Sequence, residues 1–210
     1  MFSFKKIRLF IFLNVIMALP SVSSWAYIPK EGSVSALLSP LIMQSEFQSK
    51  SNAINNPYFG GLSLIAQGDV NDSGSLEIGL FHFDKLYYMT SGNQEITEKV
   101  ELVHVTLGYR YWMNSIFSIS LAFSSAYSIG NPQVVSSQFP VGQEIKTSAH
   151  DTTEYGFDLS LETELWTNTQ SSVIADTRYY YSVTPKESEK ANHYLIQIGY
   201  KQLIQNKKTN

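Results

Sequence analysis

Four stretches of the chain alternate apolar and polar residues almost without interruption, and on a β-strand such alternation sends the two sets to opposite faces. In 154–165, Tyr155, Phe157, Leu159, Leu161 and Leu165 share one face, and Glu154, Gly156, Asp158, Ser160, Glu162 and Glu164 the other. In 117–129, Phe117, Ile119, Leu121, Phe123, Tyr127 and Ile129 oppose a set made only of Ser and Ala. In 103–111, Val103, Val105, Leu107, Tyr109 and Tyr111 oppose His104, Thr106, Gly108 and Arg110. In 193–201, Tyr194, Ile196, Ile198 and Tyr200 oppose His193, Leu195, Gln197, Gly199 and Lys201. An amphipathic helix would scatter these apolar residues around its circumference, so helix is excluded for all four.

Turn signals between such runs predict eight strands, roughly 33–45, 58–68, 74–90, 98–112, 115–130, 152–167, 171–184 and 191–204. Most exceed the 5 or 6 residues of a typical soluble strand and reach the 9 to 11 that a tilted strand needs to cross a bilayer. The first carries Pro40 without clean alternation, and the third changes phase after Leu80, where a bulge is expected. The connections alternate in length. The set 67–74, 113–114 and 168–170 is predicted to face the periplasm, and the set 46–57, 91–95, 131–151 and 185–190 the outside. Threading the strands up and down places Tyr127, Tyr155, Tyr179, Tyr181 and Tyr194 near an outer rim and Tyr109, Tyr111, Trp112, Trp166 and Tyr200 near an inner one. Two aromatic girdles are the expected mark of two membrane interfaces.

The N-terminus adds an address. Lys5, Lys6 and Arg8 precede an apolar run from Leu9 to Leu19 that contains Asn14, stops at Pro20 and is too short to span a bilayer. Ser24-Trp25-Ala26 then supplies small residues at the positions a signal peptidase inspects, so residues 1–26 read as an export signal cut before Tyr27. The 15 Lys and Arg fall by three to 12 against 18 Asp and Glu, a formal net charge of −6 that gives no footing for nucleic acid. The remaining residues, 27–210, suit one domain with a short polar C-terminal tail. No cysteine is present, which excludes disulfides, thiolate metal sites and a thiol nucleophile. The histidines are scattered without ligand spacing and no phosphate loop occurs, so no metal or cofactor is expected.

The signal, the alternating segments, the girdles and a last strand reading His193-Tyr-Leu-Ile-Gln-Ile-Gly-Tyr-Lys-Gln-Leu-Ile204 together resemble the small OmpX/OmpA-type outer-membrane barrels of Gram-negative bacteria. The resemblance is architectural and implies an all-β fold: an eight-stranded antiparallel up-and-down transmembrane β-barrel in the outer membrane, with both termini in the periplasm. It implies outer-membrane lipid and, during biogenesis, the barrel assembly machinery as partners. Gly199-Tyr200 fits the assembly signal at the end of such chains, whereas Gln202 and the polar tail 205–210 depart from it.

An eight-stranded barrel has a bore that side chains fill, so free diffusion is not expected. The inward set would include Glu77, His104, Arg110, Glu154, Asp158, Glu162, Glu164, Asp176, Arg178 and Lys201, a network of mixed sign with carboxylates in excess. Structural packing is the expected role, and a proton-sensitive pore the sharper alternative. Function is expected to reside in the outer loops, with 131–151 and its patch Phe139, Pro140 and Val141 as the surface for an extracellular partner. Two alternatives stand beside this reading. A lipid A-modifying enzyme could draw on His150-Asp151 with Ser148, on His82 with Asp84, or on His193, though His193-Tyr194-Leu195 does not match the His-x-Ser-Asn signature of lipid A deacylases. A soluble lipocalin-like periplasmic barrel would instead turn its apolar face inward around a ligand.

Overall fold

A computed structural model describes residues 27–46, 57–184, 186, 189–190 and 192–205. The export-signal segment, residues 47–56 of the first outer loop and the tail beyond Gln205 lie outside the described residues. Eight long strands form the wall: β1 (Val34–Ser45), β2 (Phe59–Asn71), β3 (Gly74–Ser91), β4 (Gln94–Trp112), β5 (Phe117–Ser128), β7 (Thr153–Thr167), β8 (Ser171–Ser182) and β10 (His193–Gln205). Two short strands, β6 (Gln133–Ser137) and β9 (Glu189–Lys190), lie within outer loops. Every pairing is antiparallel, and β1 pairs with both β2 and β10, which closes the sheet and leaves the wall without an edge.

The alternation fixes which way each side chain points. Leu38, Leu62, Leu64, Leu76, Ile78, Leu80, Leu107, Leu121, Phe123, Phe157, Leu159 and Ile198 are exposed on the outer surface, while Ser118, Ser120, Glu162, Asp176, Gln197 and Lys201 are buried inside. This is the reverse of a lipocalin-like barrel and corrects that alternative, because an apolar outer band carried by seven of the eight strands is stable only against lipid. Closed pairing also satisfies every strand's backbone without water, as a lipid solvent requires.

Three local expectations are corrected. No bulge follows Leu80: β3 stays in register with β2 from Phe83 to Ser75 and with β4 along its whole length. The apparent phase change arises because Phe81 and Phe83 point into the bore while His82 and Asp84 point out. The first periplasmic turn is shorter than predicted, since β2 continues to Asn71 and leaves only Asp72 and Ser73, held by Asn71 Oδ1 accepting from the Ser73 amide at 2.9 Å. The 91–95 loop likewise shrinks to Gly92 and Asn93, with Gly92 at φ +61 where a side chain would be strained. Pro40 sits inside β1, and the β1–β10 ladder is open between Leu38↔Tyr200 and Leu41↔Gln197 around it without a change of register, consistent with a residue that has no N–H to give.

Beyond the band, β3 and β4 run on together as a hairpin. Glu189 pairs with Met89 and Lys190 with Tyr88, while β6 pairs with β4 from Ile96 to Lys99. The result is a four-stranded outer platform, ordered β9-β3-β4-β6.

Candidate functional site: the filled bore and its outer cap

The ring order β1-β2-β3-β4-β5-β7-β8-β10 sets β2 opposite β7 and β3 opposite β8. All ten predicted inward charged residues are buried. They form three groups rather than one network. The largest is centred on Glu77 of β3, whose two carboxylate oxygens accept from Arg110 Nε at 2.8 Å and from Arg178 Nη2 at 2.7 Å. Arg178 stands on the opposite strand, so this bond crosses the bore. Gln67 of β2 makes a second crossing to Glu162 of β7 at 3.3 Å. Arg110 also donates to Ser118 and Ser160 at 2.9 and 3.0 Å. The guanidinium thus fills the space beside Ser118, where β5 presents a small residue inward. Lys201 closes the periplasmic side, donating to Glu162 at 2.5 Å and Glu164 at 2.7 Å.

Nearer the outside, Lys85 donates to both oxygens of Glu154, at 3.0 and 2.9 Å, with Tyr87 donating to the same carboxylate at 2.6 Å. Lys85, which no sequence signal singles out, follows Asp84 in β3 and turns inward in phase with Phe81 and Phe83. His104 pairs with Asp158 at 3.0 Å, ringed by Phe81, Phe83, Tyr180 and His193. Facing these charges, β1, β2, β3 and β10 contribute Leu37, Leu41, Met43, Ile65, Phe81, Phe83 and Leu195 to an apolar cluster inside the barrel. The bore thus holds an apolar cluster beside its ion pairs.

The aromatic positions divide. Tyr109, Tyr111, Tyr127, Tyr155, Trp166, Tyr181, Tyr194 and Tyr200 are exposed on the outside, and Tyr179 is half-buried beside Tyr194, with its hydroxyl donating to Glu46 at 3.0 Å. Trp112 is corrected: it is 4% exposed and points inward, with Nε1 donating to Ser75 Oγ at 3.2 Å and its ring against Tyr27 at 4.7 Å. Lys201 Nζ stands 4.8 Å from the Trp112 ring centre and 5.0 Å from that of Tyr27, so these aromatics plug the periplasmic mouth. Strict alternation would have turned Trp166 inward and Leu165 outward. A register shift between Glu164 and Trp166 turns Trp166 out and leaves Leu165 half-buried.

The outer mouth is capped. A single 3-10 turn, Ser148–His150, has Thr147, Ser148 and Ala149 buried. Thr147 Oγ1 donates to Glu98 at 2.7 Å, and Ser148 donates through its amide and its hydroxyl to Glu189 at 2.9 and 2.6 Å. His150 Nε2 pairs with Glu98 at 2.8 Å. Burial pushes the Glu189 carboxyl above its ordinary range, opposed by the Ser148 donors. Ser148 and His150 therefore address different carboxylates rather than each other, which is not the arrangement of a hydroxyl nucleophile and its base. Among the described residues no cluster of His, Asp and Glu is arranged to hold a metal.

The patch Phe139, Pro140 and Val141 lies on the same loop, outside the barrel. Gln143 donates its amide to Pro140 O at 2.9 Å and Gly142 sits at φ +85, a tight turn that leaves Val141 98% exposed at its tip.

No family model matches this chain, and no curated protein matches it. Solved structures do match in fold. The outer-membrane protein OprG from Pseudomonas aeruginosa superposes with a TM-score of 0.55 at 9% identity, covering 85% of this chain and 98% of that one. Ail, the attachment invasion locus protein of Yersinia pestis, covers 81% and 99% at 12% identity and a TM-score of 0.48. Neisserial surface protein A covers 82% and 99% at 12% identity, also with a TM-score of 0.48. At 9% identity the likeness to OprG shows the fold alone, and the chain is a closed eight-stranded antiparallel barrel with an apolar outer face.

Proposed function

We propose that this protein is a non-conducting outer-membrane barrel that holds an ordered platform at the cell surface for contact with an extracellular partner. The observation that carries the reading is the platform itself. Val134 and Val135 on β6 and Val141 on the adjoining turn are exposed although the segment is paired, turned and hydrogen-bonded, so apolar surface is displayed from a rigid support. The closed bore supports the same reading, since bonds from β3 to β8 and from β2 to β7 cross the path a solute would take. No catalytic step is included, because Ser148 and His150 are each committed to a carboxylate.

The test uses full-length mature protein in two settings. Refolded into planar bilayers, it stays at baseline conductance at neutral and acidic pH. Expressed on a bacterium, it confers binding to an immobilised panel of extracellular-matrix proteins that is lost when 133–146 is replaced by a short linker, with the barrel still folded. Stepwise channel currents, or binding that survives the replacement, would overturn the reading.

A further inference from the structure

The outer wall carries a groove of about 400 Å³ where β3 and β4 leave the apolar band and meet the start of the platform strand β6. Its floor is a checkerboard of charges on β3 and β4. Asp84 and Glu101 are direct cross-strand partners, two carboxylates that would repel if left alone. Each has a diagonal partner: His82 Nε2 lies 2.6 Å from Glu101, and Lys99 Nζ lies 3.2 Å from Asp84. These side chains remain 31–51% exposed. Asn131 and Gln133 form one flank and Gly60 the other.

Position narrows the ligand. His82 pairs in register with Leu62 on one side and Val103 on the other, and Leu80 precedes it on the same face. Leu62 and Leu80 are exposed and belong to the apolar band. Val103 is the register partner of Tyr127, one of the outer aromatics. The groove thus lies where the band ends, at the level of lipid headgroups, with oil directly beneath.

Charge narrows it further. Two carboxylates face one Lys and one His, so the floor has no net positive charge whichever form His82 takes. A phosphate or sulfate needs cations free to point at it, and here Lys99 and His82 each already face a carboxylate. A hydroxyl donates and accepts at once, so it can join such a pair without breaking it, and the two amides offer the same dual chemistry. The volume lies within the ~300–1,000 Å³ of small-molecule sites.

We propose that this groove binds the hydroxyl-rich sugar headgroup of a neutral glycolipid in the outer leaflet, with the lipid chains lying on Leu62 and Leu80. The inference does not depend on the platform having a partner.

The experiment reconstitutes full-length mature protein in nanodiscs of phosphatidylcholine with or without glucosyl diacylglycerol of matched chains, then counts retained lipid by native mass spectrometry. Retention of the glucosyl lipid about tenfold or more over phosphatidylcholine is expected, with loss of that preference in Gly60→Trp and Glu101→Gln. At Gly60 an added Cβ meets nothing within 4 Å, so a side chain can leave the backbone there without a clash, and Gly60→Trp is chosen to occupy the groove. Heat-modifiable gel mobility verifies that each variant is folded, and Gly60→Trp decides the matter if Glu101→Gln does not fold. Equal retention of both lipids, or preference that survives Gly60→Trp, would overturn the proposal. So would tighter retention of phosphatidylglycerol, which would make this an anion site. Displacement by methyl glucoside at equal concentration would assign the groove to soluble sugar and remove the lipid from it.

Discussion

Replacing Arg110 by Met tests whether the bore is dry enough for its ion pairs to be structural. The side chain is completely buried, and Met keeps most of its length while removing the charge and every N–H. Three hydrogen bonds disappear, to Glu77, Ser118 and Ser160. Arg110 also faces Glu162 at 3.6 Å and Asp176 at 3.7 Å. Around it stand three cations, Arg110, Arg178 and Lys201, and four carboxylates, Glu77, Glu162, Glu164 and Asp176, so the formal balance moves from −1 to −2. At an effective dielectric of 20, the 2.6 Å Glu77 contact alone is roughly 6 kcal/mol of attraction. Desolvation of the guanidinium offsets much of that, and breaking a buried pair by removing one partner typically costs about 3–5 kcal/mol.

That range is the expected loss in urea unfolding of the mature protein refolded into phospholipid vesicles, read as a midpoint shift at unchanged slope. Because a buried pair is screened little, the loss should be nearly the same at low and high salt. Adding Glu77→Gln returns the formal balance to −1 while Arg178 keeps its bond to Asp176, and should recover about 1–2 kcal/mol, a coupling typical of residues in direct contact. A loss below about 1 kcal/mol, the worth of a solvated pair, would refute the reasoning. So would a loss that salt abolishes, since either result means that water fills the bore.

Other consequences are equally open to measurement. Gly199→Val should eliminate the heat-modifiable folded band, because a Cβ there would overlap Ser39 Oγ and press on the Leu38 carbonyl. Brominated lipid should quench Trp166 and spare Trp112, so Trp166→Phe abolishes quenching in the mature protein and Trp112→Phe preserves it; the opposite pattern would reverse the inward assignment of Trp112. The cap should hold more firmly in acid. The Glu189 carboxyl is raised by burial, so its contribution is fully present below the ordinary carboxyl value and is lost as pH rises through the raised one. Hydrogen exchange at the Ser148 amide, corrected for intrinsic rate, should therefore speed up from acidic to neutral pH in the wild type and lose that extra dependence in Glu189→Gln.

The wall was legible in the sequence for a physical reason. A side-chain period of two admits no slip when one face must meet lipid. In β5 and β7 the outward set is apolar and the inward set is small or charged, so residues facing lipid can be told from residues facing the bore without coordinates. The same rule fails wherever both faces carry one chemistry. Phe81 and Phe83 look like a continuation of Leu76, Ile78 and Leu80 after a one-residue jump, because alternation reports which residues share a face and says nothing of what lies beyond it. At that level of β3 the face toward the bore is apolar and the outer face carries His82 and Asp84, so polarity inverts while register continues.

The same limit hid Lys85 and misplaced Trp112. Lys85 carries no local signal beside the change of phase after Leu80, and Trp112 follows the preference of tryptophan for the interface only until partners distant in sequence overrule it. Glu154 answers Lys85 from 69 residues away, and Ser75 takes the Trp112 N–H from 37. Nothing local records such pairings. They arise because closing eight strands sets opposite walls near enough for long side chains to meet, as when Arg178 reaches Glu77 across the bore. Barrel closure is therefore what turns a list of inward charges into three separate groups, and an interior of this kind becomes readable only once the ring order is known.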